Sequence, residues 1–441
     1  MPLLATPVTP DSEFPATTEV LIIGGGIIGV SAALTLAERG IPVTLCEKGE
    51  IAGEQSSRNW GWCRQQGRDP RELPLIIHAL SCWARMNERV NAETGFRQCG
   101  TLYLAESQAD LEKKALWLDH AAPYSIDARV ISGSEVADHL SGSARAWHGA
   151  LHCPSDGRAE PFSAVPAMAQ AAQKQGAKLF THTAIHALST SAGSVTGAQT
   201  EKGEIRARVV LLAAGAWSRR LCATEKLLLP QLKTRSSVLR TGPVPTGPNA
   251  CISAPEYSIR KRADGGYTVA AGAKSRIDFD LTPDAIRFAP LFRKLVWMVR
   301  NHLHLRLGER FGVEWREANE RPQTLFTSNR MLDPDPIHPS LDHAFNALIK
   351  DFPRFAGASI EQRWAGMIDV TPDAIPVIST VNERPGLVIA TGFSGHGFGI
   401  GPAAGELAAD LVMNTTPVVD ASPFRFSRFS DGSTIDPIVG I

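Results

Sequence analysis

Two apolar runs near the start of the chain enclose a glycine-rich segment. Residues 20–23 have the continuous apolar character of a buried strand, and residues 43–47 form a second apolar run that closes on a glutamate. The residues between them have the apolar period of a helix. This pattern predicts a strand, a tight turn, a helix and a second strand, the unit from which a helix-covered parallel sheet is built.

Hydrophobic periodicity predicts further elements along the rest of the chain. The helical segments are 75–90, 110–120, 134–140, 162–175 and one within 283–304. A strand is expected at 102–104, and short strands between 178 and 212 favour a small antiparallel meander with a return strand to the main sheet. Asp264-Gly265-Gly266 predicts a hairpin turn. A last helix is expected to begin near Pro402, because proline suits a first helical position.

Composition narrows the classes of partner and location. The 45 Lys and Arg residues balance the 45 Asp and Glu residues, so nothing marks a nucleic-acid partner. No apolar run reaches the roughly 18 residues that a membrane span needs, and the start of the chain lacks the features of a signal peptide. The 7 cysteines form no C-x-x-C pair, which favours a reducing cytoplasm and no metal.

Gly24, Gly26 and Gly29 have the G-x-G-x-x-G spacing of a dinucleotide-binding turn. The first glycine allows the tight turn, the second lets a pyrophosphate approach the backbone, and the third lets the helix pack on the strand. The helix that follows begins at Ile27 and Ile28, and its unpaired N–H groups favour phosphate.

A carboxylate at the end of the second strand supports the same interpretation. Glu47, followed by Lys48, lies where a side chain can accept hydrogen bonds from a ribose. An ordinary strand-to-helix turn that merely favours glycine would not explain this acid at this spacing. The sequence therefore predicts dinucleotide binding.

Two later segments indicate that the dinucleotide is FAD. One is a buried-strand run ending in small residues, and the other is a glycine-rich turn followed by a helix. A helix N-terminus at the flavin edge would stabilise the negative charge of the reduced ring, whereas a turn built only for packing is the alternative. The residues expected to contact FAD in these segments are Ala214, Gly215, Trp217, Gly395, His396, Gly397, Phe398 and Gly399.

These motifs, in their order and spacing, resemble the D-amino acid oxidase-like superfamily of FAD enzymes, near its sarcosine oxidase, glycine oxidase and amino acid dehydrogenase branch. The resemblance extends from about Glu19 to about Met413. It also rests on Gln55-Ser56-Ser57-Arg58-Asn59, Pro154-Ser155-Asp156-Gly157 and Thr371-Pro372-Asp373. A plain nicotinamide-dependent dehydrogenase would not need the later motifs.

The expected fold class is α/β, a Rossmann-like FAD-binding domain interleaved with an antiparallel-sheet α+β substrate domain. We assign residues 17–90, 148–225 and 366–420 to the FAD-binding domain. Residues 91–147 and 226–365 form the expected substrate-binding domain, and 1–16 and 421–441 are tails. The sequence leaves the oligomeric state open, a homo-oligomer included.

The resemblance implies roles for the loop that follows the first βαβ unit. Its residues expected to contact FAD are Gln55, Ser56, Ser57, Arg58 and Gly61. Arg64 matches the arginine that grips a substrate carboxylate, although a plain salt bridge is the alternative. Trp60 and Trp62 line the pocket or belong to the core. His396 is a candidate through its ring, but a role of its backbone N–H is favoured.

Three positions depart from the sarcosine oxidase pattern. Gly366 stands where that family carries the cysteine that links the flavin, so noncovalent FAD is expected. Gly399 replaces a lysine that helps bind the carboxylate. Thr268 matches the lysine that promotes reaction with oxygen, and Lys274 is close in sequence, which leaves oxidase and dehydrogenase activity both open.

The resulting hypothesis is oxidative deamination of a free α-amino acid by hydride transfer to the flavin, giving an imine that hydrolyses to keto acid and ammonia. The narrow prediction is a basic L-amino acid such as arginine, with Asp369 and Asp373 as candidates to face its side chain. Arg260 is a second candidate anchor. The alternatives are a sarcosine- or glycine-type oxidase, a flavin subunit that passes electrons to a partner, and a flavin-binding scaffold. The acceptor is oxygen, a quinone or an artificial dye.

Overall fold

The computed structural model describes residues 5–272 and 274–438. This part of the chain contains 21 β-strands. They are β1 Thr17–Ile23, β2 Val43–Cys46, β3 Trp62–Cys63, β4 Arg97–Gln98, β5 Thr101–Ala105, β6 Arg129–Ser132, β7 Gly149–Cys153, β8 Gly157–Arg158, β9 Lys178–Phe180, β10 Ile185–Ser191, β11 Ser194–Thr200, β12 Gly203–Leu212, β13 Leu232–Thr241, β14 Cys251–Ser253, β15 Tyr257–Lys261, β16 Tyr267–Ala271, β17 Ile277–Asp280, β18 Leu303–Arg306, β19 Ile360–Val370, β20 Val377–Thr380 and β21 Leu387–Thr391.

The α-helices of the same described residues alternate with these strands. They are α1 Ile27–Glu38, α2 Gln55–Arg58, α3 Leu73–Ala84, α4 Met86–Val90, α5 Gln108–Ala115, α6 Trp117–Ala121, α7 Gly133–His139, α8 Pro161–Lys174, α9 Ser218–Thr224, α10 Pro283–Val299, α11 Glu309–Asn319, α12 Pro322–Ser328, α13 His338–Asp351 and α14 Gly397–Met413.

The main sheet has eight strands and contains the predicted βαβ unit. Its path is β10-β11-β12-β1-β2-β9, with β21 beside β12 and β20 beside β21. Strand β1 pairs in parallel with both β2 and β12, so Val20 lies opposite Val43 on one side and Val209 on the other. The apolar runs are continuous because both faces of this part of the sheet are buried, one by α1, α8 and α14 and the other by a cluster that includes Trp217 and residues of α12. The Rossmann-like prediction is confirmed.

The second large sheet also has eight strands, in the order β19-β13-β16-β15-β14-β5-β7-β6. All its pairs are antiparallel except β14 with β5. The hairpin between β15 and β16 turns at the predicted Asp264-Gly265-Gly266, where Gly265 adopts φ +84°. Helix α13 packs on one face of this sheet. Together the two sheets confirm the α/β fold class with an antiparallel partner sheet.

The last long helix begins earlier than the sequence analysis predicted. Helix α14 starts at Gly397 rather than near Pro402, so the proline lies inside the helix. Pro402 therefore lies in the second turn, where it removes the hydrogen bond that a backbone N–H would have donated to the carbonyl of Phe398. As a result, residues of the glycine-rich segment form the first turn of α14.

A segment between the strands of the second sheet is the most exposed part of the described chain. It comprises the two-stranded parallel β17–β18 ribbon with α10 and α11, and α10 is anchored through buried Phe288 and Phe292. Large apolar side chains that remain exposed here are Ile277, Ile286, Val296, Trp297, Met298, Leu305, Leu307 and Trp315. Within the described residues, no helix has both the length and the apolar character required to cross a membrane.

Candidate active site

A cavity of about 480 Å³ lies between the two sheets. One wall is formed where β1 and β12 end, which is the edge at which open parallel sheets bind ligands. The opposite wall is formed by residues of the second sheet, among them Tyr103, Ser253 and Ser258. The glycine turn before α14 and the loop from Gln55 to Arg68 connect these walls. The cavity therefore has a nucleotide end at the βαβ unit and a substrate end at the second sheet.

The fingerprint glycines at the nucleotide end are required by close backbone contacts. Gly24 has φ +111°, and a Cβ there would lie 2.5 Å from the carbonyl oxygen of Ala213. A Cβ on Gly29 would lie 2.1 Å from the carbonyl oxygen of Gly24. Gly29 therefore shapes the turn without lining the cavity, whereas Gly24 and Gly26 do line it.

Glu47 is held in place by two backbone N–H groups at the cavity edge. Its carboxylate accepts from the N–H of Gly25 and from the N–H of Gly49, both at 2.7 Å. Burial raises the pKa of Glu47, and these two N–H groups oppose that rise. The neighbouring Lys48 has its Nζ 3.2 Å from the centre of the Trp217 ring, and burial lowers the pKa of Lys48 to about 8.

The residues at this end fit an FAD pyrophosphate. The N–H of Ile27, at the start of α1, donates to the hydroxyl of Ser56 at 2.8 Å, and both residues line the cavity. Arg58 is buried and donates through Nη1 to the carbonyl of Ala365 at 2.8 Å. Its Nη2 has no protein partner among the described residues. Nη1 of Arg58 also forms an ion pair with Asp333 at 2.5 Å, so Arg58 is already neutralised. The feature at this end that is suited to a bound anion is the start of α1 at the cavity surface.

The turn before α14 presents the start of that helix to the cavity. Ser394 and Gly395 adopt φ +51° and +86°, and His396 and Gly397 follow at the cavity surface. Asp369 holds this turn in place, because its carboxylate accepts a hydrogen bond from the N–H of Gly392 at 2.8 Å. Burial raises the pKa of Asp369 to about 6. The N-terminus of α14 is therefore placed to stabilise negative charge in the cavity.

Arg64 lies at the substrate end without a carboxylate partner. Its guanidinium carbon is 5.8 Å from the centre of the Tyr103 ring, and its Nη1 donates to the carbonyl of Gln66. Among residues 5–272 and 274–438, no carboxylate forms a salt bridge with it. Trp60 and Trp62 stand edge to face at 5.5 Å in the same wall. An arginine in this setting can receive a carboxylate from a ligand.

A buried charge cluster lies behind Arg64. Arg68 donates to the carbonyl of Arg64 at 3.1 Å and to the carbonyl of His396 at 3.2 Å. The carboxylate of Glu72 is 3.1 Å from Nδ1 of His396 and 3.9 Å from Arg68. Burial alone would raise the pKa of Glu72, but these neighbours hold it below its usual range. Burial and Arg68 lower the pKa of His396.

Most residues proposed from the sequence do line the cavity. They are Arg64, Trp62, His396, Gly24, Gly26, Ile27, Ile28, Glu47, Lys48, Gln55, Ser56, Arg58, Ala214, Gly215, Trp217, Gly395, Gly397, Phe398 and Gly399. Of the others, Ser57 is fully buried, and a Cβ on Gly61 would lie 2.5 Å from the carbonyl oxygen of Ala159. A Cβ on Gly366 would lie 2.1 Å from Oε1 of Gln55, so Gly366 packs against the cofactor loop rather than facing the cavity.

Three residues predicted for the substrate end lie elsewhere. Thr268 is 2% exposed and accepts from Arg260 at 3.3 Å, outside the cavity wall. Arg260 is itself buried and bonded to Glu160 at 2.7 Å, so it is not a second carboxylate anchor. Lys274 forms a surface ion pair with Glu106. Arg260 and Thr268 are cross-strand partners on β15 and β16, and Lys274 lies beyond the end of β16, so none of the three lines the cavity.

The acids proposed to face a cationic side chain already have partners. Asp373 is paired with Arg428 at 2.9 Å, away from the cavity. Asp369 lines the cavity, but its carboxylate is bonded to Gln231 at 3.0 Å as well as to the turn. The sequence did not indicate Tyr103, Ser253 and Ser258, whose approach to the cavity depends on the pairing of β5, β14 and β15. It also did not indicate Arg68, which follows β3 and reaches the carbonyl of His396.

Known proteins are similar to this chain in both sequence and fold. A model of a family described as DAO, FAD dependent oxidoreductase, matches residues 19–411. The fold is similar to that of an L-amino acid deaminase from Proteus myxofaciens solved in complex with anthranilate, with a TM-score of 0.91, 32% identity and 97% coverage of both chains. An L-amino acid deaminase from Proteus vulgaris gives a TM-score of 0.90 at 29% identity, covering 96% of this chain and 100% of that one.

Curated sequence relatives are more distant. A glycine oxidase from Geobacillus kaustophilus is 26% identical over 438 residues, covering 93% of this chain and 97% of the relative. A 4-methylaminobutanoate oxidase from Paenarthrobacter nicotinovorans is 24% identical over 429 residues. The match covers 96% of this chain but only 47% of that relative, so the chain spans about half its length.

Proposed function

This chain belongs to the DAO family of FAD-dependent oxidoreductases, and from that premise we propose that it oxidatively deaminates a free L-α-amino acid whose carboxylate binds Arg64. At the level of class it is a FAD-dependent amino acid oxidoreductase. The observation that carries the substrate assignment is the cavity-lining guanidinium of Arg64, which forms no salt bridge with a carboxylate of the described residues. Likeness to the Proteus L-amino acid deaminases supports the L configuration.

Arg64 is suited to a carboxylate because its planar guanidinium can donate two parallel hydrogen bonds. Tyr103 supports the guanidinium from one side, and Arg68 fixes the Arg64 backbone through its carbonyl. These contacts reduce the freedom that Arg64 would lose on binding a substrate. The carboxylate thereby orients the amine-bearing carbon within the cavity.

When bound, FAD supplies the two-electron acceptor for this oxidation. The chain's own contribution is orientation and exclusion of water, since Trp60 and Trp62 cover the substrate end. Burial and Arg68 lower the pKa of His396, which disfavours a positive charge on its ring. An amine that arrives unprotonated needs no strong base. The released imine hydrolyses in water to keto acid and ammonia.

The shape of the substrate end supports a neutral side chain over the basic one predicted from the sequence. Trp60, Trp62 and Tyr103 provide aromatic surface there. Asp369, the acid nearest to the glycine turn, is already bonded to Gln231 and Gly392. A cationic side chain would be desolvated without a free counter-charge, which costs free energy. We therefore propose aromatic and large aliphatic L-amino acids as substrates, with arginine weaker.

A second candidate function concerns the electron acceptor. Among the described residues, Lys48 is the only lysine that lines the cavity, and it lies at the nucleotide end. A fixed cation beside the flavin would lower the barrier for reduction of oxygen. No lysine lines the described substrate end, and the guanidinium of Arg64 there is assigned to the substrate carboxylate, which favours a dehydrogenase that passes electrons to a quinone-like acceptor over an oxidase.

Noncovalent FAD is part of the same proposal. Gly366 carries no thiol, and the space that a side chain at this position would need is occupied by the side chain of Gln55. Acid precipitation of the purified protein should release all its flavin into the supernatant. Flavin that remains in the pellet would contradict the assignment.

The deciding experiment is anaerobic mixing of the FAD-loaded protein with L-phenylalanine, L-leucine, L-arginine, D-phenylalanine, glycine and sarcosine. The two neutral L-amino acids should bleach the 450 nm flavin band fastest. Faster bleaching by sarcosine or glycine would favour the sarcosine- or glycine-type oxidase alternative. Faster bleaching by D-phenylalanine than by L-phenylalanine would show that the substrate has the D configuration. Turnover under air against turnover with a quinone dye then separates oxidase from dehydrogenase.

A further inference from the structure

Three side chains with different donor atoms meet on the surface formed by α3 and α14. His78 and Cys82 lie one helical turn apart on α3, and Glu406 faces them from α14. The nearest donor atoms are Nε2 of His78 and Oε2 of Glu406, at 2.9 Å. Sγ of Cys82 lies 3.9 Å from the same oxygen. All three donor atoms are within 4.8 Å of one another.

We propose that His78, Cys82 and Glu406 form a site for Zn²⁺, with water as the fourth ligand. Imidazole nitrogen, thiolate sulfur and carboxylate oxygen are the ligands that zinc accepts in tetrahedral sites. The thiolate disfavours Mg²⁺ and Ca²⁺, which select oxygen ligands. On binding, the Cys82 thiol releases its proton to solvent and a Zn–S bond forms, so no oxidant or reductant is needed.

The spacing of the donor atoms requires only small adjustments. Tetrahedral zinc bonds place nitrogen and oxygen ligands about 3.3 Å apart, and sulfur and oxygen ligands about 3.5 Å apart. The corresponding separations are 2.9 Å and 3.9 Å. Rotation of the Glu406 side chain, which is 26% exposed, adjusts both of these separations. The nitrogen of His78 and the sulfur of Cys82, which lie within 4.8 Å of each other, must also approach through rotation of their own side chains.

The site is reachable, and its nearby cations are already neutralised. His78 is 28% exposed in its side chain, so the cluster opens to solvent, while Cys82 is 7% exposed. Arg39 pairs with Asp410 at 2.8 Å, and Arg89 pairs with Glu38 at 2.6 Å. These pairs limit the repulsion that a bound dication would otherwise meet.

A metal here would join the two helices that lead to the cavity. Helix α3 follows the loop that carries Arg64, and α14 begins at the glycine turn. They already meet where Nε1 of Trp83 donates to the carbonyl of Gly399 at 2.8 Å. A zinc ion would add a cross-link to this junction, and the stabilisation of the folded state would grow with the logarithm of the free zinc concentration above Kd.

The test uses chelator-treated, FAD-loaded protein and zinc alone. Equilibrium dialysis with metal analysis should give one zinc per chain, and X-ray absorption should show one sulfur ligand at about 2.3 Å. Zinc should also raise the melting temperature, and excess Mg²⁺ should not displace it. Cys82→Ser should remove the sulfur signal and weaken binding more than the 10–100-fold typical of losing a second-shell partner.

A matched control is available in His343, which pairs with Glu256 at 3.4 Å and is described without a cysteine partner. His343→Gln should leave zinc affinity unchanged, whereas His78→Gln should weaken it as strongly as Cys82→Ser. The proposal is overturned if the wild type retains no zinc, if its zinc has only nitrogen and oxygen ligands, or if Cys82→Ser binds equally well. None of these readouts depends on catalytic activity.

Discussion

The two ends of the cavity are built in different ways. The nucleotide end is made largely of backbone and glycine from segments that are each short in sequence, and Gly24 touches Ala213 because β1 and β12 are neighbours. The substrate end is made of side chains from distant segments, such as Arg64 and Tyr103. Substitutions leave the backbone groups at the nucleotide end in place, whereas substitutions at the substrate end change the side chains that a substrate contacts. The first end therefore fixes the cofactor, and the second is free to set the substrate.

The largest effect is expected from a substitution at the nucleotide end. A Cβ on Gly26 would already lie 3.1 Å from the Ser56 hydroxyl, and the branched side chain of valine would fill the space expected for the pyrophosphate. Gly26→Val should therefore abolish FAD binding, measured as flavin absorbance per chain after purification. Gly357→Ala, where a Cβ meets nothing within 4 Å, is the control. Full FAD occupancy in Gly26→Val would show that the pyrophosphate site is misplaced.

The next effect is expected at the substrate end, with the cofactor retained. Arg64→Leu would remove the partner of the substrate carboxylate, a loss of about 3–5 kcal/mol for a buried pair. This corresponds to a decrease in kcat/KM of roughly a hundredfold to several thousandfold. Arg64→Lys should recover part of it. The control is the matching amine without a carboxylate: if Arg64→Leu slows it as strongly as the amino acid, Arg64 has a structural role.

A smaller effect, on KM, is expected from substitution of Arg68, which connects the substrate end to the glycine turn. Arg68 spans from the carbonyl of Arg64 to that of His396, and a lysine cannot donate to both in the same way. Losing one charge-assisted hydrogen bond costs about 1.5–3 kcal/mol, so Arg68→Lys should raise KM about tenfold or more with less effect on kcat. An unchanged KM with reduced FAD content would instead assign Arg68 to the nucleotide end.

The smallest effect is a pH dependence contributed by Asp369. Burial raises the pKa of this cavity-lining carboxyl from 3.8 to about 6. Below that pH it is neutral, and above it the carboxylate repels the anionic end of the substrate. The wild-type KM should therefore rise severalfold as pH increases through about 6, and Asp369→Asn should remove this step. The stability that Asp369 contributes has the same sign, since it is greatest at low pH and lost above about 6. A step that persists in the variant would identify another titrating group.

Sequence reasoning reached the cofactor end because its determinants are local. The spacing of the three glycines lies within one turn, and Glu47 ends the next strand of the same unit. The steric limit on Gly29 is also local, since it comes from the carbonyl of Gly24, whereas the limit on Gly24 comes from Ala213 after β12. The start of α14 was misplaced because proline at a first helical position is a statistical preference, and packing of Gly397–Gly399 in the cavity wall overrode it.

The sequence by itself therefore determined the family, the α/β fold, the dinucleotide turn and the candidate anchor Arg64. Only the tertiary structure decided that Thr268 and Arg260 face each other rather than the cavity, and that Glu72, Arg68 and His396 form one cluster. The physical reason is that strand pairing and helix packing set the direction of each side chain. Those contacts join residues as far apart as Glu72 and His396, which local patterns along the chain do not relate.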